Sequence, residues 1–127
     1  LGITGISSDM REIESADREG NKLARLALKM YSYRIKKYIG SYAAAMGGVD
    51  IIVWTAGVGE NQEGMRFDSC DGLEFLGIKM DRERNHCRGI EQVLSAEDSK
   101  VKVVLIPTDE EIVIARDTKA LVEGKNM

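Results

Sequence analysis

The chain contains 127 residues, of which 43% are hydrophobic and 31% are charged. This composition excludes an intrinsically disordered protein, and the apolar runs are too short to cross a bilayer as a helix. Eighteen basic and twenty-one acidic residues give a net charge of −3, which provides no attractive field for a polyanion. We therefore expect a compact domain, or part of one, with neither nucleic acid nor a membrane as its partner.

The chain has two cysteines, Cys70 and Cys87, and one histidine, His86, with no C-x-x-C pair. This is not a zinc-binding pattern, so we predict two reduced thiols in a cytoplasmic protein. His86 adjoins a polar, mostly charged segment and is predicted to be solvated. The first residue is Leu1 and no targeting segment follows it, so we expect these residues to be a segment of a longer chain.

Two helices are predicted in the first part of the chain. Ser8 or Asp9 is suited to cap a helix over 9–19, because a side-chain oxygen there can accept hydrogen bonds from first-turn amides. A longer amphipathic helix is predicted over 22–46, where apolar residues recur every three or four positions. We interpret its apolar stripe as domain core, and the glycines at 47–48 end the helix.

Two strand-to-helix units follow, and together they predict an α/β layered fold. Residues 49–55 form a nearly continuous apolar run, which is typical of a central parallel strand buried on both faces. A helix is predicted over 61–72, and residues 101–106 form the second strand. Thr108 or Asp109 then caps a last helix. The candidate inward residues of these two helices are Met65, Cys70 and Leu73 in the first and Ile112, Val113, Ala115, Ala120 and Leu121 in the last.

Ligands of α/β sheets collect beyond the carboxyl ends of the strands, which here means residues 55–61 and 107–111. The two glycines of the first segment would let a ligand approach the backbone, but a tight structural turn explains them equally well. The glutamates of the second segment stabilise a helix N-terminus, and they would bind Mg²⁺ only beside a phosphate. Ser8, Asp9 and Arg11 are capping and salt-bridging residues that would also suit a base or a phosphate.

A dinucleotide- or methyl-donor-binding domain is the alternative that residues 55–61 suggest when taken alone. Such a domain requires an acidic residue at the end of the next strand. Here Ile106 is followed by Pro107 instead, which disfavours this alternative.

Several motifs, taken in chain order, are more specific than any one of them. They are GISSDMR at 5–11, YRIKKYIG at 33–40, TAGVGEN at 55–61, GLEFLGI at 72–78, and PTDEE at 107–111 followed by ARD at 115–117. Together these motifs closely resemble the C-terminal part of the acetate kinases. The resemblance extends over essentially the whole chain.

The resemblance implies part of an actin-like ATPase domain, of the superfamily that includes sugar kinases, heat-shock chaperones and actin, with mainly parallel strands flanked by helices. It implies that the intact enzyme reversibly transfers the γ-phosphoryl group of ATP to acetate with Mg²⁺, giving acetyl phosphate and ADP. Residues 1–127 would be the C-terminal part of the nucleotide-binding domain. Family members are homodimers joined through their C-terminal domains, so the small residues at 40–45 are expected to contribute to that contact.

The resemblance also implies a role for individual residues, carried over motif by motif. Glu110 would assist Mg²⁺, and Arg11 would offer a flat cationic surface to the base. The implied nucleotide-binding residues are Asp9, Met10 and Arg11 near the adenosine, and Gly57, Val58, Gly59, Glu60 and Asn61 as a loop against the adenosine and phosphates.

The sequence departs from the family pattern at Asp109, where the family has Asn, and at Val58, where it has Ile. The resemblance implies that the family's catalytic arginines, histidines and aspartate lie upstream of these residues. We therefore name no catalytic residue and expect this piece alone to be inactive, because phosphoryl transfer depends on positioned charge. The alternatives are a propionate or butyrate kinase and a non-catalytic nucleotide-binding or dimerisation module.

Overall fold

The computed structural model describes residues 1–124 as a small mixed sheet with helices packed around it. Among these residues no helix combines the length and the apolar character needed to span a bilayer. The elements in chain order are α1 (Met10–Arg18), α2 (Lys22–Met46), β1 (Ile51–Trp54), α3 (Ala56–Asn61), α4 (Glu63–Cys70), a 3-10 turn (Glu74–Leu76), α5 (Arg82–Asn85), β2 (Gln92–Val93), β3 (Lys102–Leu105) and α6 (Glu110–Val122).

The first two helices begin and end where the capping residues indicate. Asp9 caps α1 by accepting a hydrogen bond from the backbone N–H of Arg11, as the sequence predicts. Asn21, which lies between the two predicted helices, caps α2 by accepting hydrogen bonds from two first-turn amides. Gly47 ends α2 with a positive φ of 76°, a conformation that glycine adopts without strain.

The apolar stripe of α2 is only partly core, which corrects the sequence prediction. Ile35 and Ile39 pack against the main hydrophobic cluster, and α2 also packs against α1 and α4. Most of the rest of the stripe is exposed in the described part of the chain, because α1 and α4 cover only one side of the helix. The exposed residues are Leu23, Leu26, Met30, Tyr38, Tyr42 and Met46.

The sheet has the order β1-β3-β2, with β1 parallel and β2 antiparallel to β3. The prediction that β1 is a central strand buried on both faces is wrong: β1 lies at the edge of this sheet, and Ile51 and Val53 are 58% and 50% exposed. Successive side chains of a strand point to opposite faces. Only the face that carries Trp54 is covered by the core.

The core lies on the covered face of the sheet, between β3 and helix α4. Leu94, Val103 and Leu105 have no exposed surface. Met65, Cys70 and Leu73, predicted to face inward, are all buried in the same cluster.

Both cysteines are unpaired thiols, as the sequence predicts. Burial raises the pKa of the Cys70 thiol to about 11. His86 is also where the sequence predicts it: its ring is exposed to solvent and lies 2.7 Å from a carboxylate oxygen of Glu63.

Helix α6 begins as predicted, because the Asp109 side chain accepts a hydrogen bond from the backbone N–H of Ile112 at 3.0 Å. Its predicted apolar face, however, is not buried. No residue of α6 is buried in the described part of the chain. The start of α6 is therefore held by local contacts and by the strand before it, not by packing along the helix.

A buried arginine, Arg66 of α4, joins three parts of the fold, and no sequence pattern indicates its burial. Its Nη1 donates to the carbonyl oxygens of Gly59 at 2.8 Å and Glu60 at 3.1 Å. Its Nε donates to Asn85 Oδ1 at 3.0 Å, and its Nη2 donates to the carbonyl oxygens of Asn85 and Cys87, both at 2.8 Å. The guanidinium therefore holds the end of α3 and the segment after α5 against α4.

Core packing predicts a contrast between two leucines. Leu94→Ala should lower the free energy of unfolding by about 2–5 kcal/mol, because it leaves a cavity beside β3. The matched variant Leu121→Ala should change it by less than about 0.5 kcal/mol, because Leu121 is 68% exposed and Leu94 is 0% exposed. Urea denaturation checks both values, and equal losses would contradict this description of the core.

The Arg66 contacts predict a large loss of stability when the guanidinium is removed and an unbranched apolar side chain is kept. Arg66→Met should lower the free energy of unfolding by about 3 kcal/mol or more, because it leaves buried carbonyl oxygens without donors. Arg88→Met is the control, because Arg88 is exposed. Urea denaturation of both variants decides the matter, and a stable Arg66→Met protein would refute the structural role assigned to this arginine.

Candidate functional site

The two segments that follow the parallel strands lie side by side. Trp54 and Leu105 are partners in the β1–β3 register, so residues 55–61 and 107–111 leave the sheet at neighbouring points. This edge is where α/β proteins collect ligands. The geometry therefore agrees with the sequence analysis on where a ligand site should be sought.

Residues 57–61, predicted as a loop, are helical and form most of α3, which corrects that prediction. The helix starts directly after β1 because Ala56 has a positive φ of 60° and turns the chain sharply. Such a conformation is strained for a residue other than glycine. The strand therefore passes into the helix without an intervening loop.

The two glycines of α3 have different surroundings. A side chain on Gly57 would meet nothing within 4 Å, so the backbone there is open to a ligand. Gly59 is buried, and a Cβ on it would lie 3.5 Å from the carbonyl carbon of Trp54, so it serves the packing of α3 on β1. Asn61 Nδ2 donates to the Gly57 carbonyl oxygen at 2.8 Å, and Val58 packs against the core.

Glu60 connects the two segments through its side chain. Its Oε1 accepts hydrogen bonds from the backbone N–H of Thr108 at 2.8 Å and from the Thr108 hydroxyl at 2.9 Å. These bonds, together with one from the backbone of Ala56, lower the pKa of the Glu60 carboxyl below its usual value. The structure thus brings together the segments that contain the predicted nucleotide and metal residues.

Glu110 is the first residue of α6 and its side chain is exposed. Within residues 1–124 no three histidine, cysteine, aspartate or glutamate side chains are grouped as metal ligands. A single exposed carboxylate suits Mg²⁺ only when waters and phosphate oxygens supply the other ligands. Glu110 therefore fits a metal that arrives with a nucleotide, and it does not by itself build a metal site.

Asp9 and Arg11 form an ion pair at the start of α1. Arg11 Nε donates to Asp9 Oδ1 at 3.1 Å and Arg11 Nη2 donates to Oδ2 at 2.6 Å. These hydrogen bonds hold the pKa of the Asp9 carboxyl at about 2. The Arg11 side chain is nevertheless 88% exposed, so its planar face is accessible, while Met10 is half-buried beside it.

The hydrogen bonds of Asp9 and Arg11 join these two residues to each other and to the first turn of α1. The contact between Glu60 and Thr108 joins the other two segments. The structure therefore links residues 55–61 directly to residues 107–111. Asp9 and Arg11 form a separate ion pair at the surface.

A cleft of about 330 Å³ lies between α1, α2 and α4, and no sequence motif indicated it. Gln62, directly after the predicted segment 57–61, lies on its wall, and its buried Oε1 has no hydrogen-bond partner in the described part of the chain. Glu14 and Asp17 of α1 line the opposite part of the cleft. Only the packing of three helices, which sequence periodicity does not specify, creates this space.

Comparison with known proteins identifies the family. The sequence profile described as Acetokinase family matches residues 1–116. The acetate kinase of Phocaeicola vulgatus is 63% identical over 121 residues, which are 95% of this chain and 30% of that protein. The chain thus spans about 30% of the length of the curated relative.

Solved structures agree with the sequence comparison. The crystal structure of Porphyromonas gingivalis acetate kinase matches 96% of this chain and 31% of that chain, with 55% identity and a TM-score of 0.87. A propionate kinase from Francisella tularensis matches 91% of this chain and 29% of that chain, with 34% identity and a TM-score of 0.78. The predicted fold class, an α/β part of an actin-like ATPase fold, is confirmed. The chain belongs to the acetokinase family.

Proposed function

We propose that this chain is the nucleotide-binding part of an acetate kinase, which reversibly transfers the γ-phosphoryl group of ATP to acetate and gives acetyl phosphate and ADP. The observation that carries the proposal is the adjacency of residues 55–61 and 107–111 at the carboxyl edge of the sheet, in a chain whose family match covers both segments. In this proposal residues 1–127 are the C-terminal part of the nucleotide-binding domain.

The proposed nucleotide lies across these segments. Gly57 supports this position because nothing within 4 Å would obstruct a ligand at its Cα. Arg11 has an exposed planar group that suits a purine base. The family resemblance adds Asp9, Met10, Val58, Gly59, Glu60 and Asn61 to the proposed nucleotide site.

The proposed metal is Mg²⁺, bound together with the phosphates. When bound, Mg²⁺ supplies positive charge that neutralises phosphate oxygens. Glu110 would hold it through coordinated water, which agrees with the exposure of this side chain and with the absence of a ready-made metal cluster among residues 1–124. The phosphate oxygens would complete the set of ligands.

The proposal assigns no catalytic residue to this chain. Phosphoryl transfer needs positioned groups that stabilise the charge of the transition state. The family resemblance implies that those groups belong to other parts of the intact enzyme. We therefore propose that this chain alone has no phosphoryl-transfer activity.

Propionate is a second candidate for the acyl substrate, because one similar structure is that of a propionate kinase. Rates of the intact protein with acetate, propionate and butyrate separate the candidates: acetate should give the highest kcat/KM. A non-catalytic module is disfavoured because Gly57, Gly59, Glu60, Asn61 and Glu110 all retain the family pattern.

The proposal includes a cytoplasmic homodimer. The unpaired thiols of Cys70 and Cys87 are typical of a reducing compartment. The end of α2 supports the dimer, because Tyr42 and Met46 are exposed beside the small residues at 40–45. Exposed apolar groups of this kind are suited to a protein contact.

Gly57→Val tests the position of the nucleotide. It should raise the KM for ATP of the intact protein by about tenfold or more, because its side chain would enter the space assigned to the ligand. The fold should tolerate it, because no atom lies within 4 Å of the added Cβ. Gly2→Val is the control, since it has equally open surroundings. An unchanged KM for ATP in a folded Gly57→Val protein would refute the assigned position.

Glu110→Gln tests the metal role. Calorimetric titration of the intact protein with ADP should show binding that Mg²⁺ strengthens, and Glu110→Gln should reduce that strengthening by about fivefold. Glu111→Gln is the matched control, because it removes the neighbouring charge from the same first turn of α6. If both variants lose the same Mg²⁺ enhancement, the loss comes from removing negative charge at the N-terminus of α6, and Glu110 has no specific metal role.

A further inference from the structure

The contact between Glu60 and Thr108 joins residues that are 48 positions apart in the chain. We propose that Glu60 is a positioning residue: its carboxylate holds Thr108, and thereby sets Glu110 at a fixed place relative to Gly57. This inference rests on the proposed function, because it concerns how the nucleotide and metal segments are kept together. It assigns Glu60 no contact with the nucleotide, which differs from the role that the family resemblance implies.

The contact lies where the sheet no longer holds the chain. The backbone N–H of Ile106 donates to the Trp54 carbonyl oxygen at 2.9 Å, which continues the β1–β3 ladder just past β3. Beyond Pro107, the backbone N–H of Thr108 donates to Glu60 instead. The side chain of Glu60 thus takes over from the neighbouring strand as the hydrogen-bond partner of this segment.

Helix α6 has no buried anchor of its own in the described part of the chain, because none of its residues is buried. Thr108 directly precedes Asp109, the residue that caps α6, and Glu110 follows as the first residue of the helix. A displacement of Thr108 would therefore move the cap and Glu110 together. The two hydrogen bonds to one carboxylate oxygen oppose that displacement.

The other end of the contact is held by the fold. The carbonyl oxygen of Glu60 accepts from Arg66 Nη1 at 3.1 Å and from the backbone N–H of Gly89 at 3.3 Å. The carbonyl oxygen of Gly59 accepts from the same guanidinium nitrogen at 2.8 Å. Glu60 is therefore held at its backbone by the core, and its side chain reaches across to the start of α6.

Charge also favours a positioning role over direct contact. A carboxylate beside nucleotide phosphates repels them, whereas Glu60 Oε1 is already an acceptor for both donors of Thr108. These donors lower its pKa, so the side chain stays ionised at neutral pH and keeps the stronger, charge-assisted form of the hydrogen bond.

The test measures how strongly Mg²⁺ enhances ADP binding in the intact protein. Calorimetry gives the Kd for ADP with and without Mg²⁺, and the ratio of the two is the enhancement. The variants are Glu60→Ala, Glu60→Gln, Thr108→Val and Thr108→Ser. Glu91→Ala is the control, because it removes an exposed glutamate outside both segments.

Glu60→Ala should reduce the enhancement by about fivefold. Thr108→Val should reduce it less, because the backbone N–H remains, and Thr108→Ser should keep the parent value. Glu60→Gln keeps an acceptor oxygen and should lie between Glu60→Ala and the parent. It also provides a folded variant if Glu60→Ala fails to fold. The double variant with Glu60→Ala and Thr108→Val should lose no more of the enhancement than Glu60→Ala alone, because both substitutions act on the same contact.

Two results would overturn the inference. An unchanged enhancement in both Glu60→Gln and Thr108→Val would show that the contact does not position Glu110. Weaker ADP binding without Mg²⁺ in the Glu60 variants, with Thr108→Val unaffected, would show that Glu60 contacts the nucleotide itself. A parent protein that binds no ADP would instead refute the proposed function, so the two failures are distinguishable.

Discussion

The arrangement of this domain depends on a buried guanidinium. Arg66 makes its hydrogen bonds to the carbonyl oxygens of Gly59, Glu60, Asn85 and Cys87 and to one side-chain amide oxygen, with no carboxylate among these partners. A buried charge is tolerated only when its donors are satisfied, because it has lost its hydration. The partial negative charge on carbonyl oxygens at the end of a helix supplies that compensation here. Because the buried guanidinium needs all of these acceptors, Arg66 holds α3, α4 and α5 together as one unit.

This unit supports the candidate site. Arg66 holds the backbone of α3 at Gly59 and Glu60, and Gly59 is close enough to Trp54 that α3 packs directly on the end of β1. From this base the Glu60 side chain reaches Thr108, beside the first turn of α6. The contacts of Arg66 with α3 and of Glu60 with Thr108 thus connect the core to the exposed edge of the sheet.

The exposed apolar surface of this chain is suited to the protein contacts that the proposed function requires. Isolated exposed apolar residues are ordinary, but contiguous ones mark a surface suited to another protein surface. Here one face of β1, much of α2 and nearly all of α6 are exposed, and the chain spans about 30% of the length of the curated relative. These faces suit the further protein surface that an intact homodimeric kinase would supply. The exposed apolar residues on these elements include Met30, Tyr42, Met46, Ile51, Val53, Val113, Ile114 and Val122.

Features that depend on neighbouring residues could be predicted from the amino-acid sequence. Asp9 and Asp109 were identified as possible caps because a cap bonds to amides within three positions, and the helical periodicity of α2 indicated its full length. The family motifs located both segments of the candidate site. The three-dimensional packing was needed to establish that residues 57–61 are helical, that β1 lies at an edge of the sheet, and that Arg66 is buried. It alone paired Glu60 with Thr108, because such a contact depends on where the strands meet and leaves no local pattern in the chain.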